Sequence, residues 1–303
     1  MASFADLKKN RNSLMDKINK ELVKDEKGNS YDDERMWKLT RDKSGNGFAT
    51  LRFLPAPPEE EIPWVKLYSH GFKGPTGLWY IENSRTTINE KDPCSEYNTS
   101  LWNNGTEQGK EQARVQKRRL SYISNVYIVS DPSNPANEGK VMLYKYGKRV
   151  FDKLSEAMNP AFEDETPFNP FDLWQGANFK LKVRIVDGWP NYDKSEFDPQ
   201  APLFEDDDEL EATWNKEHSL NEMLAPENFK PYETLKEKLD KVMGLNGSAN
   251  RINLTEKGTN AAGFGEGFDG GTDDEETTDD VAPPTEGPRD HLSYFKGLAD
   301  EVV

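Results

Sequence analysis

The stretch Asn178–Val186, NFKLKVRIV, decides how this chain is read. Phe179, Leu181, Val183 and Ile185 alternate with Lys180, Lys182 and Arg184. A two-residue period sends successive side chains to opposite faces of a strand, so the segment predicts an apolar face turned inward and a cationic face turned outward. Like charges on one face repel, and the outer face therefore calls for an anionic neighbour.

Two further segments interleave cations with aromatics. Lys117-Arg118-Arg119 leads into Leu120–Ser130 (LSYISNVYIVS), with Tyr122 beside the cluster, and Lys140–Arg149 sets Tyr144 and Tyr146 among Lys145, Lys148 and Arg149. A groove for single-stranded nucleic acid needs this mixture, because cations take the phosphates while unstacked bases lie on rings, at roughly 1–3 kcal/mol per base. The same residues also fit a plainer arrangement, with tyrosines packing across strands and lysines keeping the surface solvated. Recurrence in three segments favours nucleic acid.

The formal net charge of −16 opposes that reading until it is divided along the chain. Residues 201–303 carry 25 Asp and Glu against 9 Lys and Arg, whereas residues 1–200 hold 30 of each sign. Within the neutral part, residues 110–153 hold ten basic against four acidic residues. A basic body segment with an acidic end is a pattern of nucleic-acid interaction.

Three regions follow. Residues 1–22 form a basic arm in which Leu7, Leu14, Ile18 and Leu22 keep a helical spacing. Residues 23–250 contain all seven tryptophans and form the folded core. Residues 251–303 are a flexible, disordered acidic tail, with 12 acidic against 2 basic residues from Gly258 onward, ending in an amphipathic segment, His291–Val303, suited to docking on a partner. The core reads as strands at 48–54, 64–72, 78–82, 120–130, 140–146 and 178–186, with helices at 148–158 and 232–243. That is an α+β protein built on a small Greek-key β-barrel. No apolar run is long enough for a membrane span, the first residues lack a signal-peptide core, and the single Cys94 allows no internal disulfide, so a soluble, cytoplasmic protein is expected.

Catalytic motifs are missing from the sequence. There is no P-loop, dinucleotide fingerprint or zinc-protease motif, and His70, His218 and His291 are the only histidines. The acidic runs Asp206–Asp208 and Asp273–Glu276 read as solvated carboxylates rather than nuclease metal ligands. The expectation is a non-enzyme. A single-stranded RNA-binding module, or more remotely a metal-dependent nuclease, remains as an alternative.

The ordered phrases LRFLP (Leu51–Pro55), HGF (His70–Phe72), WYIE (Trp79–Glu82), KRRLSY (Lys117–Tyr122), DPSNPANEGKV (Asp131–Val141), WQGANFKLKV (Trp174–Val183) and NYDKSEF (Asn191–Phe197) resemble the single-stranded DNA-binding, helix-destabilising replication proteins of T-even-type bacteriophages. The resemblance implies an OB-fold core with an inserted subdomain and cooperative self-association through the N-terminal arm in DNA replication, recombination and repair. It also implies a tail that recruits replication and recombination proteins. It places Arg52, Trp79, Tyr80, Lys117, Arg118, Arg119, Tyr122, Tyr144, Trp189 and Tyr192 in or beside the DNA groove, to which the strand readings add Lys145, Lys180, Lys182 and Arg184. Lys8, Lys9, Arg11 and Ser13 loosely match its self-association motif. The family commonly holds zinc through one histidine and three cysteines. Here His70 is present, but the cysteine positions read Ser84, Asp92 and Ser95, with Cys94 one place out of register. No metal or other cofactor is expected, His70 with Asp92 and Cys94 being the rearranged alternative, and the subdomain is expected to pack around Trp79, Tyr97 and Trp102.

Overall fold

A computed structural model describes residues 33–162 and 164–245. The basic arm with Lys8, Lys9, Arg11 and Ser13, and the acidic tail, lie outside the described residues. In chain order the elements are β1 (Met36–Trp37), β2 (Gly47–Phe53), β3 (Val65–Lys73), β4 (Trp79–Asn83), α1 (Pro93–Asn103), α2 (Glu107–Val115), β5 (Arg119–Ser130), β6 (Val141–Gly147), α3 (Lys148–Met158), β7 (Phe179–Val186), β8 (Trp189–Asn191), β9 (Glu196–Phe197), α4 (Asp207–Trp214) and α5 (Tyr232–Met243). The described chain divides into two compact units, one of residues 33–66, 121–185 and 191–223, the other of residues 67–120, 186–190 and 224–245.

In the first unit β2 is shared between two partners. Its residues Gly47–Leu51 pair antiparallel with β7, and Thr50–Phe53 pair antiparallel with β5, with a register shift between Thr50 and Leu51. A bulge at such a position bends the strand and tightens the twist of the sheet. β6 pairs antiparallel with β5, and the short β1 adds to β6 in parallel. The inner faces meet on Phe53, whose ring centre lies 5.5 Å from Tyr146, 5.7 Å from Phe171 and 5.9 Å from Phe179. Aromatic pairs at these separations favour edge-on and tilted arrangements, as here.

Several expected groove residues are part of this core. Tyr122 and Tyr144 are buried: Tyr122 stacks on Phe151 at 3.8 Å, and Trp37 meets Tyr144 edge-on at 5.2 Å. Tyr192 is also buried. Alternation along β6 turns Tyr144 and Tyr146 inward and Lys145 outward, whereas Tyr122 begins a run of β5, Tyr122–Val126, that is buried throughout. Ile185 departs in the other direction: it is exposed, over Gly45.

Arg52, another expected groove residue, is 1% exposed. Its Nη2 donates to the carbonyls of Asp172 (2.8 Å), Ala201 (2.9 Å) and Leu173 (3.3 Å), pinning the loop before β7 and the segment after β9. Gly176 permits the approach, since a Cβ there would stand 3.0 Å from that nitrogen and 2.3 Å from the Asp172 oxygen. Arg52→Met is expected to lower stability by about 3 kcal/mol, because the guanidinium donors vanish and their carbonyls stay buried. Urea unfolding checks this.

Glu217 presents the opposite case. Neither carboxylate oxygen has a hydrogen-bond partner, and burial, with Glu60 adding repulsion, pushes its pKa up to about 9. The unfolded chain has already lost this proton above about pH 4.5, so stability falls as pH rises from there to about 9. Glu217→Gln is expected to flatten that slope and to stabilise the protein by about 2 kcal/mol at pH 8. Urea midpoints at pH 5 and pH 8 would measure it.

The second unit is a β3–β4 hairpin with α1, α2 and α5. The turn closes through Gly74 and Gly77, and Gly74 also lets α5 approach, since a Cβ there would meet the Val242 carbonyl oxygen at 2.3 Å. The buried cluster is Phe72, Tyr80, Cys94, Leu239, Val242 and Met243, with Tyr97 packed against it. Trp79, expected both in the groove and in the subdomain's packing, and Trp102, expected in that packing, are 54% and 47% exposed, whereas Tyr80, expected in the groove, is fully buried. Neighbouring residues of a strand face opposite ways, so only one of Trp79 and Tyr80 can enter the core. Three helices escaped the sequence reading because caps rather than apolar periods mark them. Asp92, Thr106 and Asp206 accept from backbone N–H groups at the starts of α1, α2 and α4. Asp207 and Asp208 then occupy the first turn of α4, where the helix dipole favours carboxylates.

Candidate nucleic-acid interface

β7 keeps the expected alternation over most of its length. Phe179, Leu181 and Val183 are buried, while Lys180, Lys182 and Arg184 project outward. Their anionic neighbours, however, come from the same unit. Lys180 pairs with Asp198, Lys182 Nζ lies 2.7 Å from Glu196 Oε1, and Arg184 holds Asp193 through Nε at 3.1 Å and Nη2 at 2.5 Å. Hydrogen bonds from Arg184 and Lys182 draw the pKa values of Asp193 and Glu196 below the carboxylate norm. Strand geometry spaces alternate cations about 6.6–6.8 Å apart, and the acidic segment 193–198 answers them in order, as a polyanion would. Exposed pairs of this kind are individually weak. A nucleic-acid phosphate can therefore displace them.

Other cations reach solvent beside aromatic rings. In the second unit Arg118 lies over Tyr68 at 4.3 Å and donates through Nη1 to Thr86 Oγ1 at 2.8 Å, and Arg114 lies over Trp102 at 5.7 Å. Lys117 is exposed and Arg119 half-buried. Trp79 and Trp189 are both exposed aromatics, the latter at 48%. In the first unit Lys145 is exposed, yet the protein packed around it, and then Lys38, lower its pKa. The sequence reading missed Tyr68. Its only signal was its place in the outward register of β3, because nothing local pairs it with Arg118, fifty residues away.

The buried polar cluster around His70 tests the expected metal ligands. His70 Nδ1 lies 3.0 Å from the Gln116 carbonyl oxygen, which can only accept, so Nδ1 carries a proton. Nε2 faces Asp92 Oδ1 at 3.3 Å and Ser95 Oγ at 3.4 Å, whereas Cys94 Sγ lies 3.4 Å from Nδ1. Asp92 and Cys94 thus address opposite nitrogens and do not converge on one point. Burial, with Asp92 nearby, pushes the Cys94 thiol up, away from the thiolate that zinc takes. Ser84 Oγ pairs with Thr86. A closed tetrahedral zinc site does not fit these donors.

Outward cations along β7 in the first unit, and arginines lying over aromatic rings in the second, define a class: a protein with surfaces suited to holding a polyanion. Residues 45–243 match the model of the gp32 DNA binding protein-like family. The chain is 39% identical over 220 residues to the single-stranded DNA-binding protein of Enterobacteria phage T2, covering 72% of each chain. To that of Enterobacteria phage T4 it is 38% identical over 221 residues, covering 72% of this chain and 73% of the other. A further relative, the single-stranded DNA-binding protein of Enterobacteria phage RB70, is 38% identical over 95 residues, 31% of this chain and 80% of its own. The chain belongs to the gp32 DNA binding protein-like family.

Replacing Asp193, Glu196 and Asp198 together by Asn, Gln and Asn is expected to tighten binding to a poly-dT strand at low salt by roughly threefold or more, the counter-charges having been removed. Fluorescence titration would measure it, and an unchanged affinity would exclude the β7 face from the interface.

Proposed function

We propose that the chain coats single-stranded DNA cooperatively and largely without regard to sequence, in phage DNA replication, recombination and repair. It performs no chemistry on the strand. The observation that carries this is its 39% identity, over 72% of its length, to a relative named for single-stranded DNA binding. Exposed Trp79 and Trp189, with Lys117, Arg118 and Arg119, are the proposed contacts of one unit, and Lys145 with Lys180, Lys182 and Arg184 those of the other. Arg52, Tyr80, Tyr122, Tyr144 and Tyr192 act from beneath, as the packed frame that holds these side chains. We read the first unit as an OB-fold-like barrel on the strength of its bulged, doubly shared β2, with the second unit as the inserted subdomain.

The core of 23–250 is proposed to work with two appendages. The arm, residues 1–22 with Lys8, Lys9, Arg11 and Ser13, joins neighbouring copies on DNA. The tail, residues 251–303, competes with DNA for the cations and, once displaced, recruits replication and recombination proteins in the cytoplasm of the host cell. One titration separates the readings: poly-dT against the full chain and against a chain lacking residues 258–303, from low to high salt, beside an RNA strand of equal sequence. Tighter binding without the tail, most at low salt, and preference for DNA are expected. Preference for RNA favours an RNA-binding module, and metal-dependent cleavage of the strand a nuclease.

A further inference from the structure

The cluster around His70 joins more of the chain than a buried histidine requires. Asp92 ties three segments: its Oδ1 accepts from Ser95 N at the start of α1 (2.9 Å) and faces His70 of β3, while its Oδ2 accepts from Arg85 N in the turn after β4 (3.1 Å). The same turn carries Thr86, whose hydroxyl pairs with Ser84 and accepts from Arg118. On the other side of the imidazole, Nδ1 donates to the Gln116 carbonyl, which also accepts from Asn98 Nδ2 at 2.9 Å. Gln116 is two residues before Arg118. The basic segment is thus fastened from both ends, through its backbone at Gln116 and through its side chain at Thr86.

We infer that this knot, centred on Asp92 and His70, performs without a metal the cross-linking that a bound ion would supply, and that it positions Arg118 for nucleic acid. Both donor chemistry and geometry support this. A carboxylate that caps a helix, accepts a second backbone N–H and faces an imidazole has its lone pairs directed to three protein segments, and the 1% exposure of Asp92 and His70 keeps water from competing. His70 and Asp92 are positioning residues. The positioning half of the inference rests on the proposed DNA binding; the metal-free half does not.

The test uses the full chain. Metal analysis of purified protein is expected to find zinc far below one ion per chain, and excess chelator to leave the Tm unchanged; stoichiometric zinc, or unfolding on chelation, would overturn the knot. Asp92→Asn is expected to lower the Tm by about 5 °C or more, with Thr86→Val, which removes the hydroxyl that accepts from Arg118, as the second variant should Asp92→Asn fail to fold. The discriminating readout is a double-mutant cycle on poly-dT affinity. Arg118→Ala should weaken binding several-fold in the parent and clearly less in the Asp92→Asn or Thr86→Val background. Equal losses in both backgrounds would leave the knot a structural device and remove its positioning role. If the parent chain fails to bind poly-dT at all, the proposed function falls, while the zinc and Tm measurements still decide whether the knot is metal-free.

Discussion

Arg52 stands in the middle of β2 with almost no surface in water, and a guanidinium there is tolerable only because three carbonyls turn toward it. Buried charge without such partners costs several kcal/mol. The same demand shapes the rest of the molecule. Asp131 is buried with the Trp37 indole N–H at 2.9 Å and Asn137 Nδ2 at 2.9 Å; Asp92 is buried with two backbone N–H groups and an imidazole; Glu82 draws in Lys230 and Lys238. Arg52, Asp131 and Glu82 each reach a partner more than ninety residues away, and Asp92 joins β3, the turn after β4 and the start of α1. Satisfying the charge therefore fixes where those segments run.

At the surface the rule has a functional consequence. β7 offers three cations in a row, but segment 193–198 supplies three carboxylates to match. Because these pairs are exposed, their energy is small and falls with salt, so they hold the face in register without closing it. On the proposed function, a strand of nucleic acid arriving there would exchange one set of anions for another. The net charge such an exchange would gain is smaller than the cation count suggests.

The second unit solves a related problem with fewer apolar residues. Its core is small, with Phe72 and Tyr80 stacked at 5.3 Å over Cys94 and one face of α5. Small cores are commonly reinforced by a metal or disulfides. The chain's single cysteine is a free, buried thiol, and the reinforcement visible in this unit is the hydrogen-bonded knot. The basic segment and the exposed aromatics are displayed on this reinforced scaffold.

Period and punctuation along the chain were enough to locate six strands within a residue or two and to delimit α3 and α5, because an apolar face repeats at the spacing of the element that buries it. The phrases of the family were equally legible, as was the charge division that places the acidic excess in the last third. Local sequence could not tell which of two adjacent residues enters the core. Trp79 and Tyr80, or Tyr144 and Lys145, exchange roles with the register of a strand, and register is fixed by long-range pairing. Nor could it show that the cations of Asn178–Val186 meet Asp193, Glu196 and Asp198, that Arg118 lies on Tyr68, or that Asp92 faces His70. Those contacts belong to the tertiary structure, since each joins groups that only the folded chain brings together.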